Sequence, residues 1–249
     1  MFPLFLALAP LVMGGTLPTC TDTPLSCHAT GTVTDTCCYN SPGGALVQVQ
    51  LWDTDAGPSD SWTIHGLWPD YCDGDYGEYC DYSPEYDDVE TLLEEQGLTD
   101  LLTYMETYWV SDDETAAEFW AHEWNAHGTC INTIEPSCYT DYTTGEEVGD
   151  FFQQVVTLFK GLDTYTALAN AGITPSDTET YTAAEIQAAL ADIHGGYEVT
   201  LLCSDNKLES IYYYFNVYGS AVNGTYEPTT PLESSDCSSD AITYPVKTT

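Results

Sequence analysis

The chain contains no arginine and only three lysines, Lys160, Lys207 and Lys247, against 40 acidic residues, for a formal net charge of −37 and a pI near 4.1. This shortage excludes an ordinary polyanion binder, whose affinity comes from lysine and arginine displacing counterions from phosphates. A polyanion held here must be held by stacking and hydrogen bonds. Acidic conditions suit that best, because carboxylates then protonate and histidines gain charge. The alternative is that the charge serves solubility or salt tolerance alone. Also missing are an apolar run long enough to span a bilayer, a CxxC pair of the zinc type, and any linker or internal repeat.

The opening MFPLFLALAPLVMGG is a short apolar segment followed by small residues. It predicts a secretory leader over residues 1–16, cut near Gly14 to Leu17, and a single domain over 17–249. No basic residue precedes the apolar run, so the reading leans on the ten cysteines that follow. Their even number and the adjacent Cys37 and Cys38 predict an oxidising compartment and about five disulfides. The expected location is extracellular, with the vacuole as the variant. Asn223-Gly224-Thr225 is a glycosylation sequon, so Asn223 is the candidate acceptor.

Alternating or aromatic-rich stretches predict strands at Ala45 to Trp52, Trp62 to Trp68, Glu198 to Cys203 and Ser210 to Tyr218. Apolar spacing of three and four predicts helices at Val89 to Trp109, Glu114 to His127, Glu146 to Ala171 and Ala183 to His194. Capping-box patterns fall at Ser111 with Glu114, Thr144 with Glu147, and Thr182 with Glu185, and Gly128 suggests a left-handed terminus. Strands and helices without regular βαβ alternation predict an α+β domain, its helices flanking a central, mainly antiparallel sheet stapled by disulfides. Trp52, Trp62, Trp109 and Trp120 are read as core, and His28 and His194 as surface or satisfied interior groups.

Two segments carry the chemistry. FWAHEWNAHGTC, from Phe119 to Cys130, places His122, Glu123 and His127 on or beside one helix; WTIHGLWPD, from Trp62 to Asp70, adds His65, Trp68 and a carboxylate. Residues four apart lie about 40° apart around a helix, so Glu123 and His127 converge, whereas His122 and His127 lie about 140° apart. The latter spacing is not that of HExxH zinc sites. Two imidazoles with a carboxylate suit paired acid–base work. RNA supplies its own nucleophile, the 2′-hydroxyl, so attack on the neighbouring phosphorus needs only a positioned base, an acid and donors to the developing charge.

HGLWPD and FWAHEWNAHGTC together resemble the two catalytic segments of the T2 family of secreted ribonucleases, its fungal branch in particular. The similarity runs from Cys20 through CCYNSPGG and DSWTIHGLWPDYCDG to FNVYG at Phe215 to Gly219. The resemblance implies His127 as general base, His65 as general acid, Glu123 as charge-positioning carboxylate and His122 as phosphate contact. It further implies that Trp68, Asp70 and Tyr76 form one base subsite, and that Gln50 and Phe119 line the second. It implies the pairs Cys20–Cys38, Cys27–Cys72, Cys37–Cys138, Cys80–Cys130 and Cys203–Cys237. It also implies a lysine where this chain has Ala126, a loss expected to weaken turnover.

The expected activity is therefore metal-independent cleavage of single-stranded RNA with low base specificity, through 2′,3′-cyclic phosphates. No cofactor, no membrane and no action on DNA are expected, and the chain should act as a monomer. The competing class is a T2-like extracellular binding or effector protein with impaired catalysis. Ala126 and the scarcity of cations favour it; the retained histidines and Glu123 oppose it.

Overall fold

Antiparallel pairing organises the centre of the molecule, seen in a computed structural model that describes residues 14–248. Strands β1 (Ala45–Leu51), β2 (Thr63–Asp70), β3 (Thr200–Ser204) and β4 (Lys207–Tyr218) run in the order β2-β1-β4-β3, and β5 (Thr225–Pro228) pairs with the far end of β4. Six α-helices are present among the described residues: α1 (Val89–Glu95), α2 (Thr99–Tyr108), α3 (Ala116–Ala126), α4 (Glu146–Gly161), α5 (Thr164–Asn170) and α6 (Ala183–Ala191). The fold is α+β, as expected. The leader expected over residues 1–16 lies mostly on residues 1–13, outside the described residues. No helix among the described residues is long and apolar enough to cross a membrane.

Strand parity sorts the sheet into two faces. Leu46, Ile64, Leu67, Ile211, Tyr213 and Phe215 join the main core with residues of α1 to α6. Val47, Val49 and Tyr214 form a smaller cluster on the other face, with Trp68 and Tyr212 packed against it. The four tryptophans read as structural are buried, and the indoles of Trp52, Trp62 and Trp120 donate to Pro245 O, Tyr244 Oη and Trp109 O. His194 is wholly buried beside Tyr213 and Phe215, and burial drives its pKa down to about 4. His28 lies at the surface, 3.3 Å from Asn216.

Several boundaries differ from the sequence reading. The first long helix is two, because Gly97 takes φ +74 after Gln96 caps α1. The third splits at Leu162, and Asp163 caps the new start by accepting from Thr166 N. Helix α3 starts from Thr115 with a full Thr115/Glu118 capping box, while Ser111 caps only a local turn through Asp113 N. Helix α4 starts from Gly145 at φ +85, and Glu147 turns inward to accept from Tyr86 Oη instead of capping. The Thr182/Glu185 box is present. Gly128 is not left-handed: it opens a 3-10 turn, where a Cβ would strike the Trp124 ring. All five disulfides pair as the resemblance implied.

Candidate active site

The site forms where edge strand β2 meets α3. The β1–β2 register shifts between Val49 and Gln50, which pair with Gly66 and Ile64, leaving His65 as the extra residue of a bulge. Bulges bend a strand and re-aim a side chain. His65 is thereby brought edge-on to Trp68 at 4.9 Å between ring centroids, and within 5.5 Å of the Phe119 ring on α3. Gly66 lets the helix approach: a Cβ there would overlap the Glu123 carboxylate.

Glu123 is completely buried, with Oε2 accepting from Trp68 Nε1 at 3.1 Å and Oε1 facing His65 Nε2 at 3.4 Å. Burial alone would raise its pKa, but His65, His127 and the indole donor outweigh this and hold the carboxyl below its usual range. His127 is the C-cap of α3 at φ −118, ψ −47, its N–H still donating to Glu123 O. Its ring lies 6.3 Å from that of His122 and 5.0 Å from Trp68 in a stacked arrangement. Burial lowers the His127 pKa, opposed by attraction to Glu123.

His65, His122 and His127 line one cavity of about 750 Å³ with Trp68, Asp70 and Tyr76. Its far wall holds Tyr212, Tyr214 and Glu233, none of which was singled out from sequence. Tyr212 and Tyr214 were readable in principle, because period-two spacing in the YYYF run puts them on the face of Val49 and Val47, their β1 partners. Tyr79, 3.4 Å from His122 Nδ1, was also missed; it sits in an irregular loop with no periodic signal. Burial, followed by repulsion from Glu233, pushes the Asp70 carboxyl up to about 7.

Phe119 faces a second cavity of about 660 Å³, which shares His65 and includes Lys207. Gln50 reaches neither. It has the parity of Leu46 and Gln48 and points to the helix-covered face, where its amide donates to Leu162 O and Gln48 Oε1 and accepts from Thr164 Oγ1. Gln50 instead lines a separate cavity of about 270 Å³ with Tyr104, Lys160 and Thr164, away from the cleft that holds His65. Ala126 is fully buried, its carbonyl accepting from Tyr79 N at 3.0 Å. Lys160 lies over the Tyr104 ring, and Lys247 is buried against Trp52 and Ala56 O, so neither stands in for a lysine at 126. His122, Glu123 and His127 place potential ligand atoms within 4.8 Å of one another, but both Glu123 oxygens already face Trp68 and His65. Asn223 is exposed in the turn before β5.

Residues 30–227 match the Ribonuclease T2 family. The chain belongs to that family. It is 59% identical over 238 residues to Ribonuclease M of Aspergillus phoenicis, covering 93% of this chain and 99% of that protein. It is 55% identical over 230 residues to Ribonuclease T2 of Aspergillus oryzae, covering 91% and 83%. Among solved structures, it superposes on Actibind, a T2 ribonuclease, with a TM-score of 0.90 at 57% identity, covering 94% of this chain and all of that one.

Proposed function

We propose that this T2-type ribonuclease is a secreted enzyme that cleaves single-stranded RNA with low base specificity through 2′,3′-cyclic phosphates, working best in acid. The observation that carries the reading is that two imidazoles, His65 and His127, line one cavity and flank a buried carboxylate, Glu123. His127 takes the proton from the 2′-hydroxyl as that oxygen attacks phosphorus. The bond to the 5′-oxygen breaks, and His65 protonates the leaving oxygen. Glu123 holds His65 in place, and His122 contacts the phosphate. A base stacks on Trp68 and bonds Asp70 beside Tyr76, while the nucleotide beyond the phosphate lies along Phe119 and Lys207.

Acid operation has two supports. The lowered pKa of His127 keeps the base neutral to lower pH, and the charge of −37 repels RNA less as carboxylates protonate. Secretion is supported by the leader pattern and the five disulfides. Ala126 supports weakened turnover, because no lysine stands at that position and burial encloses the alanine. The same residue favours the second reading, an extracellular binding protein with impaired catalysis.

The deciding assay uses purified protein with structured and unstructured RNA from pH 3 to 8, alongside His127→Ala. Chelator-insensitive cleavage that yields cyclic phosphates and needs His127 supports the enzyme. Inactivity of both proteins supports the binding reading, and comparable cleavage of DNA overturns the mechanism.

A further inference from the structure

Glu146, in the first turn of α4, is 9% exposed, and its Oε1 has no hydrogen-bond partner. Its other oxygen accepts from the backbone nitrogen of Gly15 at 2.5 Å. Thr16 then pairs with Thr140 in both directions, N to O at 3.0 and 2.9 Å, so the segment is fastened to the domain beside this carboxylate. The approach is close at Gly15, where a Cβ would press on the Glu146 carboxyl and on Thr140 O.

No cation answers this buried acid. The three lysines lie elsewhere, and among the described residues the ion pair is His65 with Glu123. The neighbours add to the need. Tyr139 donates to Asp150 and Tyr86 to Glu147, and burial raises the pKa of both carboxyls, with Glu146 adding repulsion. An isolated buried carboxylate is costly, and pairing it with a hydrogen-bonded cation removes most of that cost.

We propose that Glu146 is the receptor for an α-ammonium group, created when an endopeptidase of the secretory route hydrolyses the Gly14–Gly15 peptide bond. Water adds across that bond, leaving a carboxylate on Gly14 and an ammonium on Gly15. The Gly15 nitrogen already donates to Glu146; after cleavage it carries positive charge and three protons, enough to serve both carboxylate oxygens. Gly14 supplies the small residue expected before such a cut, which ends the leader two residues short of the 1–16 bound read from the sequence and keeps Gly15 and Thr16 in the domain. Processing thus moves the α-ammonium from Met1 to the start of the domain, where it meets Glu146 and locks that start to α4. The inference rests on secretion for the cut, not on catalysis.

The test begins with the full-length chain expressed in a secreting host and the first residue of the product determined by mass spectrometry. Gly15 is expected. The α-amine of the folded protein should acylate at least tenfold more slowly than that of the unfolded protein. N-acetylation and Glu146→Gln should each lower the Tm by roughly 5 °C, with no further loss when combined. The paired ammonium has a pKa above the ordinary value of about 8, so its stabilisation is complete below pH 8 and fades above it. The Tm gap between the natural protein and Glu146→Gln should therefore narrow from pH 7 to pH 9.5. Glu147, Asp150, Tyr139 and Tyr142 face the same site and are common to both proteins. Secreted protein beginning elsewhere than Gly15, rapid acylation, or additive Tm losses overturns the proposal. Uncut chain retained inside the cell overturns secretion as well.

Discussion

The indole N–H of Trp68 donates to Oε2 of Glu123, so one tryptophan both walls the cavity and holds the carboxylate that faces His65. Glu123→Gln should keep the shape and remove the charge, lowering kcat on the order of 10²-fold. Trp68→Phe should leave a buried oxygen without its donor and cost about 1–3 kcal/mol of stability. Steady-state kinetics and urea unfolding check these separately.

Ala126→Lys should raise kcat by roughly 10²-fold with less change in KM, since the added charge acts on the phosphorane as it forms. Because Ala126 is fully enclosed beneath the loop carrying Tyr79, the same change should lower stability by about 1–3 kcal/mol. A rise in turnover together with a fall in Tm is the expected pair. Unchanged kcat on RNA would mean either that another donor already serves the phosphate or that the site is not assembled for catalysis.

Asp70 titrates near 7 in the folded state instead of 3.8. A carboxyl with a raised folded pKa favours folding in acid, and that contribution is lost as pH climbs from about 4 to 7. Asp70→Asn should therefore match the natural protein in stability at pH 3.5 and exceed it at pH 7, by on the order of 2 kcal/mol. Unfolding at both pH values measures the difference. His127 behaves oppositely, its lowered pKa placing the acid limb of kcat/KM below the usual histidine value of 6.5.

Cys80–Cys130 joins the loop after β2 to the turn after α3, closing a separation of 50 residues. Replacing both cysteines with alanine should cost about 4 kcal/mol by chain entropy. It should also reduce activity before global unfolding, because Tyr79 and the end of α3 are tied at the same place. Activity and circular dichroism followed through one urea titration would show the two midpoints separate.

Lys207 is the one lysine lining a cavity shared with His65. Lys207→Ala should raise KM for a dinucleotide severalfold, and the effect should shrink in high salt, while kcat stays within about twofold.

The site was legible because its chemistry is concentrated in two short segments whose residue types have few structural reasons to occur together. The covalent frame was legible only through family likeness; spacing alone left the disulfide pairings open. Gln50 went astray because its direction depends on strand parity, which a motif does not reveal. Strand β5, TYEP, is too short and too polar to announce itself, and takes its order from bonds to β4. The helix breaks were hidden for a related reason: Gly97 and Asp163 sit inside continuous apolar periodicity, and the turn of the backbone at each outweighs that pattern.

The bulge at His65 has a bearing on the open border of the sheet as well. Strand β2 is the outermost in the order, and a straight outermost strand offers a template on which another chain could add itself. The inserted residue breaks that template in the middle of the strand. A deletion that removed position 65 would take away the imidazole and smooth the border together, exchanging a cavity-lining side chain for a surface prone to self-association.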